Sequence, residues 1–442
     1  MPPRSRLLGA TIATGLGATV LAFGAWAAIR APFDAGIDLP VYEEDATILL
    51  SGKMPYRDFA IEYPPGALPM FVLPAVMFGD ARDAHWSPPN DHGHRYQRAF
   101  NSLVVALTIA MVIFTALSLD ALRRRVAARL AAIAVVASAP LLIGHVFVQR
   151  YDVWPAAFTA AALAAALYGR FRLGAVALGL GVAAKVYPLL LVPVLLIVAA
   201  RQRGVREAIL AATSGVAAAA LVFAPFAIAS WNGTWQTLRN QLGGGLQVET
   251  VTSSVLVMTR HLTDWLGLHT SELTVRQEQH GLNRSILAGP DIGATKTTLN
   301  VLLVIALCVI WVALARSRND PCEDLVRYSA LTVAVALVLG TVLSAQYITW
   351  LVPLVPLVAG RRGAAATVAF VAAAVLTHVW FPSGWYGSYL DHFDLGATSL
   401  LAGRNLMLVA AALVLALPSR GALGRLIDPA ARSKPEAALG AM

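Results

Sequence analysis

Thirteen apolar runs alternate with short polar tracts along the chain, at 7–29, 64–79, 100–119, 130–148, 153–168, 173–184, 187–200, 207–230, 297–315, 328–344, 347–360, 364–380 and 399–417. A membrane-crossing helix needs about 20 residues, range roughly 17–25, so these runs are not equivalent. The pair 173–184 and 187–200 is too short for two ordinary spans. It breaks around Lys185-Val186-Tyr187-Pro188, where Pro188 disfavours a continuous helix. Broken helices at membrane depth persist only where protein or a water-filled cavity satisfies the backbone, so a cavity is expected near Lys185.

Arginine placement decides which run to demote. The run 64–79 is short and carries Pro64, Pro65, Pro69 and Pro74. If it lies against the outer surface, the tracts holding Arg4/Arg6, Arg123–Arg125 with Arg129, Arg170/Arg172, Arg201/Arg203/Arg206, Arg316/Arg318/Arg327, Arg361/Arg362 and Arg420/Arg425/Arg432/Lys434 all face the cytoplasm, and they contain 20 of the 34 basic residues. If 64–79 crossed, every later tract would flip outward, against the cytoplasmic bias of Lys and Arg. The pattern therefore predicts an all-α polytopic membrane protein of about 12 transmembrane helices with both termini inside. Residues 1–418 form one transmembrane domain and 419–442 a cytoplasmic tail. Two long outer segments follow, 30–98, with juxtamembrane helices, and 231–296, which is long enough to be a functional or lid element.

Composition agrees with that class. The 442 residues are 57% hydrophobic and 13% charged, against about 25% charged in soluble domains. The net charge of +9 resides largely in the short tracts that set topology, which argues against nucleic acid as a partner. Cys308 and Cys322 form no metal-ligand or redox spacing. The run 7–29 is too long for a signal-peptide core and reads as an uncleaved first span. His85, His92 and His94 lack metal-site regularity, so neither a metal nor a cofactor is expected. No phosphate-cradling G-x-x-x-x-G-K-[ST] and no dinucleotide fingerprint occurs, which leaves ATP-driven transport and nucleotide-sugar use without support.

In the twelve-span arrangement Asp38, Asp152, Lys185 and Gln346 share the outer face, although arginines alone set the topology. Asp38 begins a helix expected to run to about Leu50, and positions 38, 42, 45 and 49 of a helix share a face, which groups Asp38, Tyr42 and Asp45. With Pro40 behind it, Asp38 also reads as a helix N-cap, and Glu43 and Glu44 as part of a solvated face. Lys185 in a helix break is costly unless it is paired, functional or snorkelling to the interface. Arg150 and Asp152 flank Tyr151 and suit either an ion-pair network reaching Lys185 or substrate contact. Gln346 and Tyr347, between two apolar runs, suit sugar hydroxyls. Arg404 suits either a phosphate or an interface anchor. Trp350, His145 and His378 read as interfacial residues, and Glu62-Tyr63-Pro64-Pro65 as a rigid entry to the surface segment.

Asp38 with Tyr42, Ser51-Gly52, Pro55-Tyr56 and Tyr63-Pro64-Pro65 resembles the start of glycosyltransferase family 87, and two later stretches follow in order. These are Arg150-Tyr151-Asp152 leading to Ala184-Lys185-Val186-Tyr187-Pro188, and Ser344-Ala345-Gln346-Tyr347 leading to Trp350-Leu351-Val352-Pro353. The resemblance implies a glycosyltransferase C-like bundle that uses a polyprenyl-phosphate-linked sugar donor and a lipid-anchored glycan acceptor among the membrane lipids. It further implies transfer of mannose with inversion on the outer face of the cytoplasmic membrane, in glycolipid biosynthesis of the cell envelope. It assigns Asp38 as the base, which takes the acceptor's proton as its oxygen attacks. Lys185, with Arg150 or Arg404, would meet the charge that grows on the leaving phosphate. A pentosyl (arabinofuranosyl) transferase would differ only in donor sugar. A lipid-linked sugar flippase would share spans and buried charge but would not need the aspartate, and no inverted repeat is evident.

Overall fold

The computed structural model describes residues 4–29, 38–78, 91–268, 272–278, 284–382 and 384–417; the predicted tail 419–442 and His85 lie outside the described residues. Among the described residues six helices are long and apolar enough to cross a membrane: Ser5–Ala28, Arg95–Ala121, Val205–Ala229, Ile292–Ala315, Gly360–Trp380 and Leu395–Ala416. The chain is a multi-pass membrane protein by this pattern.

The expected count of twelve is not carried by helix length. The run 130–148 divides into Val126–Ala137, Ala139–Ile143 and His145–Val148, interrupted at Ser138 and at Gly144. The helices Val153–Leu167 and Phe171–Ala184 have 15 and 14 residues, or about 22 Å of rise against a hydrocarbon thickness near 30 Å. Beyond Lys185 a 3-10 turn, Tyr187–Leu191, precedes the helix Val192–Arg203. The run 347–360 is mostly two 3-10 segments, Ala345–Leu351 and Val355–Leu357. The break beyond Lys185 is the one expected from the sequence, whereas apolar composition does not reveal the others, because small residues and prolines interrupt the helix without interrupting the run. The helix predicted at 328–344 starts earlier, at Pro321, where the Asp320 carboxylate accepts from the amides of Cys322 (2.9 Å) and Glu323 (3.0 Å).

Small residues let the short helices pack closely. Phe171–Ala184 packs on Val153–Leu167 and on Val205–Ala229. At the second crossing a Cβ on Gly179 would lie 2.2 Å from the Gly215 carbonyl oxygen, so backbone meets backbone there. The arginine tracts meet one another at one end of the bundle. Arg124 donates to Glu323 (2.8 Å) and Arg201 to Asp324 (2.8 Å), while Arg172 pairs with Glu207 (2.8 Å).

The run 64–79 forms a 3-10 turn, Pro65–Ala67, and an 11-residue helix, Leu68–Phe78, too short to span. It packs on Leu39–Leu50 and Asp91–Ala121. The second outer segment departs from the all-α expectation. Besides helices Trp231–Leu242 and Val251–Trp265, N-capped by Ser230 and Thr250, it forms a three-stranded antiparallel sheet. Ser285–Ala288 is the central strand, pairing Leu287 with Leu246 and with Val275. Only the central strand buries alternate positions, and strands of two to four residues are too brief to stand out beside the long apolar runs.

Candidate active site

The first outer segment is fastened to the broken helix. Gly66 lies so close to the end of Phe171–Ala184 that an added Cβ would sit 2.5 Å from the carbonyl carbon of Ala183, and Trp154 Nε1 donates to the Gly66 carbonyl (2.9 Å). The second outer segment is fastened over the first. Thr237 donates to the Ile61 carbonyl (3.1 Å), Gln241 to the Glu62 carbonyl (2.8 Å), and Arg284 pairs with the Glu62 carboxylate (3.3 Å). Between them opens a cavity of about 700 Å³, whose lining includes Asp38, Asp45, Glu62, Arg150, Lys185 and Arg284.

Asp38 occupies the N-cap position of Leu39–Leu50, yet its side chain makes no capping hydrogen bond. The carboxylate instead accepts from Tyr42 Oη (3.2 Å) and forms an ion pair with Arg150. Tyr42 is fully buried, stacked on Phe71 with ring centroids 4.2 Å apart and edge-on to Tyr63 and Tyr151. It therefore fixes the carboxylate from below instead of lining the cavity. Asp45, one turn further, does line it. Burial, then the charges of Glu44 and Glu62, push its carboxyl up to about 7. Glu62 is also raised by burial, with Arg284 and Lys185 pulling the other way.

Asp152 is buried behind the lining, where Oδ1 accepts from Lys185 Nζ (2.7 Å) and from Trp350 Nε1 (2.7 Å). The Lys185 ammonium also lies over the rings of Tyr151 (4.6 Å), Tyr347 (4.8 Å) and Trp350 (5.5 Å). A lysine in a helix break is thus held by one carboxylate and three aromatic faces, with Tyr347 and Tyr187 each stacked on Trp350. Trp350, read from the sequence as interfacial, is a buried part of this network. His378 Nδ1 lies 2.8 Å from the Leu141 carbonyl oxygen, and the His145 ring packs against Trp26. Gln346 and Tyr347 both line the cavity.

Arg404 is placed differently. It is buried outside the lining and donates to the Glu249 carboxylate (3.1 Å) and to Asn405 Oδ1 (2.9 Å). Its guanidinium is committed to Glu249, so it supports the wall that Glu249 presents to the cavity. Sequence reasoning missed several lining residues: Glu249, Gln247, Glu278, Arg284 and Ser344. Among the described residues Arg284 Nη1, Glu278 Oε2 and Gln247 Oε1 are buried with no hydrogen-bond partner, the condition of groups that a ligand or water completes. Ser344 stood in a quoted motif without a role of its own, and Glu62, also in the lining, stood in one whose neighbouring prolines suggested a mainly structural role.

A cavity lined by five carboxylates and three cations, with glutamines and tyrosines between them, suits a polyhydroxylated ligand whose phosphate meets Arg150, Lys185 and Arg284. A family model described as Glycosyltransferase family 87 matches residues 61–345, more than half of the chain. That span includes Arg150, Asp152, Lys185 and Arg284, begins after Asp38 and ends just before Gln346. No curated protein matches the sequence. Among solved structures, the apo oligosaccharyltransferase of Archaeoglobus fulgidus aligns over 98% of this chain and 58% of its own, with 10% identity and a TM-score of 0.43. The chain thus spans somewhat over half the length of that protein.

Proposed function

The chain belongs to glycosyltransferase family 87, and from that premise we propose that it transfers mannose from a polyprenyl-phosphate donor to a lipid-linked glycan on the outer face of the cytoplasmic membrane. The observation that carries the reading is the juxtaposition of Asp38 with Arg150, Lys185 and Arg284 in one cavity. The role given to Asp38 rests on the resemblance of its motif, with its place in the cavity as support, since the matched span starts beyond it.

In the reaction the acceptor hydroxyl oxygen attacks the anomeric carbon from the face opposite the phosphate. Asp38 takes the hydroxyl proton as the new C–O bond forms. The bond from the anomeric carbon to the phosphate oxygen breaks, and its electron pair leaves with polyprenyl phosphate. A single displacement of this kind inverts the anomeric centre. Arg150, Lys185 and Arg284 meet the charge that grows on the leaving oxygen, and they act before the reaction because their positions are already held by neighbouring groups. Gln346, Tyr347, Gln247 and Glu278 receive sugar hydroxyls. Tyr42 and Arg150 orient the base.

The test is sugar incorporation into lipid-linked acceptors by membranes carrying the chain, with radiolabelled polyprenyl-phosphate-mannose, comparing wild type with Asp38→Asn at matched expression. Labelled glycolipid from wild type alone is the expected result. Equal labelling by both overturns the assignment of Asp38 as base. No labelling by either overturns mannose as the donor sugar, and the same assay with a polyprenyl-phosphate-pentose donor then decides the pentosyl alternative.

A further inference from the structure

Where the arginine tracts gather, a recess of about 730 Å³ opens between the ends of Pro321–Leu339, Gly360–Trp380 and Leu395–Ala416. That volume falls in the range of small-molecule sites, ~300–1,000 Å³. Arg361, at the start of Gly360–Trp380, lines the recess, and Phe381, directly after the same helix, lines the polar cavity. At 21 residues the helix rises about 30 Å, one hydrocarbon thickness. The recess therefore lies at the headgroup level of the leaflet opposite the polar cavity.

Arg327, Arg361 and Arg362 line it together with Glu323 and Asp324. Both carboxylates are engaged by arginines outside the lining. Glu323 meets Arg124 with both oxygens (2.8 Å at Oε2), and Asp324 accepts from Arg201 (2.8 Å) and from Asn319 (3.3 Å). Arg327 is held by backbone instead. Its Nε donates to the Leu415 carbonyl (2.9 Å) and its Nη2 to those of Ala416 (3.1 Å) and Leu417 (2.8 Å), which closes the end of the last helix. These bonds fix the guanidinium without matching its charge. Among the described residues no carboxylate pairs with Arg327 or Arg361, and Arg362 lines the recess beside them. Arg361 and Arg362 also stand in the first turn of their helix, where the macrodipole opposes a cation. Topology alone asks for cations at this end. Exposed side chains spread among the lipids would serve it, and it does not ask that arginines from two helices converge on one recess.

We propose that this recess binds the phosphate of an anionic phospholipid, a site separate from the transfer reaction. Arg327, Arg361 and Arg362 meet the phosphate, which gives like charges a shared counterion. The remaining wall is apolar, formed by Val358, Ala365, Val414 and Leu417. A soluble phosphate would leave that wall without a partner, whereas the glycerol and first acyl carbons of a lipid cover it. The headgroup must carry net negative charge, because a choline or ethanolamine would bring its own cation among the arginines. Clusters of Lys and Arg at the membrane surface attract such lipids, and the recess adds shape to that attraction.

The test uses the full chain, purified in neutral detergent and washed free of lipid, at about 0.15 M salt, where exposed charges more than about 8 Å apart are screened. Native mass spectrometry reads retained lipid and thermal melting reads its effect. Phosphatidylglycerol should be retained and should raise the melting temperature saturably, while phosphatidylcholine and glycerol 3-phosphate at equal concentration do neither. Arg361→Gln with Arg362→Gln should weaken phosphatidylglycerol binding at least about tenfold. Arg123→Gln with Arg125→Gln, an equal loss of charge from exposed residues outside the recess, should leave binding within about twofold of wild type. Val414→Trp, which fills the apolar wall and keeps every charge, should weaken binding as the first pair does. Equal weakening by both arginine pairs would reduce the effect to diffuse surface charge and overturn the proposal. Glycerol 3-phosphate acting as phosphatidylglycerol does would mark a site for free phosphate, and phosphatidylcholine doing so would remove the arginines from recognition; either overturns it. Wild-type binding by Val414→Trp, or no retention by wild type, overturns it as well.

Discussion

Gly66→Ala adds one methyl group where the first outer segment meets the broken helix, and its effect can be worked from distances. The new Cβ would lie 2.5 Å from the carbonyl carbon of Ala183, 2.6 Å from its oxygen and 2.6 Å from the Ala184 amide nitrogen. Carbon atoms pack at about 3.5–4.0 Å, so one partner must retreat by about 1 Å. All three obstacles are backbone, and Lys185 follows them directly, anchored to Asp152. The outer segment is therefore the part that moves, and it carries Glu62 and Tyr63 of the cavity lining. Overpacking of this size costs about 1–3 kcal/mol of stability. A misplacement of about 1 Å at a reacting centre costs on the order of 100-fold in rate. With membranes at matched expression, Gly66→Ala is expected to lower transfer by about two orders of magnitude and to lower the melting temperature of the purified protein. Gly17→Ala, in the first helix with nothing within 4 Å of its would-be Cβ, is the control and should behave as wild type. Wild-type transfer and melting by Gly66→Ala would refute the claim that this contact sets the cavity.

Three further outcomes follow from the charges. Arg404→Leu should destabilise by about 3–5 kcal/mol because it leaves Glu249 buried and unpaired, and Arg404→Leu with Glu249→Leu should recover most of that in thermal melting. Lys185→Met should both destabilise and inactivate, whereas Lys185→Met with Asp152→Asn should refold without regaining transfer. Recovery of transfer by that pair would show that the ammonium serves only to match Asp152. Asp45 keeps its proton to about pH 7 when folded and loses it near 3.8 when unfolded, so native stability falls as pH rises through that window. At 1.36 kcal/mol per unit the ceiling is about 4 kcal/mol. Asp45→Asn should therefore gain melting temperature over wild type at pH 7.5 but not at pH 4.5, and an equal difference at both would refute the burial argument.

The long helices were legible because a run of some 20 apolar residues has few alternatives to crossing a bilayer. Of the interrupted ones only the break at Lys185–Pro188 was legible; those at Ser138 and Gly144 were not, because run length counts such residues as neutral while the backbone breaks there. At the site, legibility stopped at pairing. Asp38-Leu39-Pro40 is a sound N-cap by local rules, and what turns its side chain away is Arg150, 112 positions later. Lys185 was conspicuous as a charge in a helix break, and the same sequence left open whether Asp152 would meet it. Arg404 was equally conspicuous, and local sequence has no means of preferring Glu249, 155 positions upstream, over a phosphate. Arg284 and Glu278 carried no signal, since they reach the cavity only once the short sheet has formed.

The pairings also explain how a cavity near the membrane keeps three cations available. An isolated buried ammonium or guanidinium costs several kcal/mol, so each has its carboxylate: Arg150 with Asp38, Lys185 with Asp152, Arg284 with Glu62. These pairs are not equivalent. Asp152 is wholly withdrawn behind the lining and bonded by Trp350 as well, so Lys185 can add an anion without leaving its partner. Glu62 lines the cavity at 3.3 Å from an arginine whose Nη1 has no partner among the described residues. Arg284 therefore has the most to gain from a phosphate. Arg150 bridges toward the carboxylate assigned as base, and a phosphate drawing on its guanidinium would loosen that pair as the donor arrives. The fold thus stores its cations against carboxylates of graded availability, and in this reading the donor's own charge releases Asp38 for the acceptor hydroxyl.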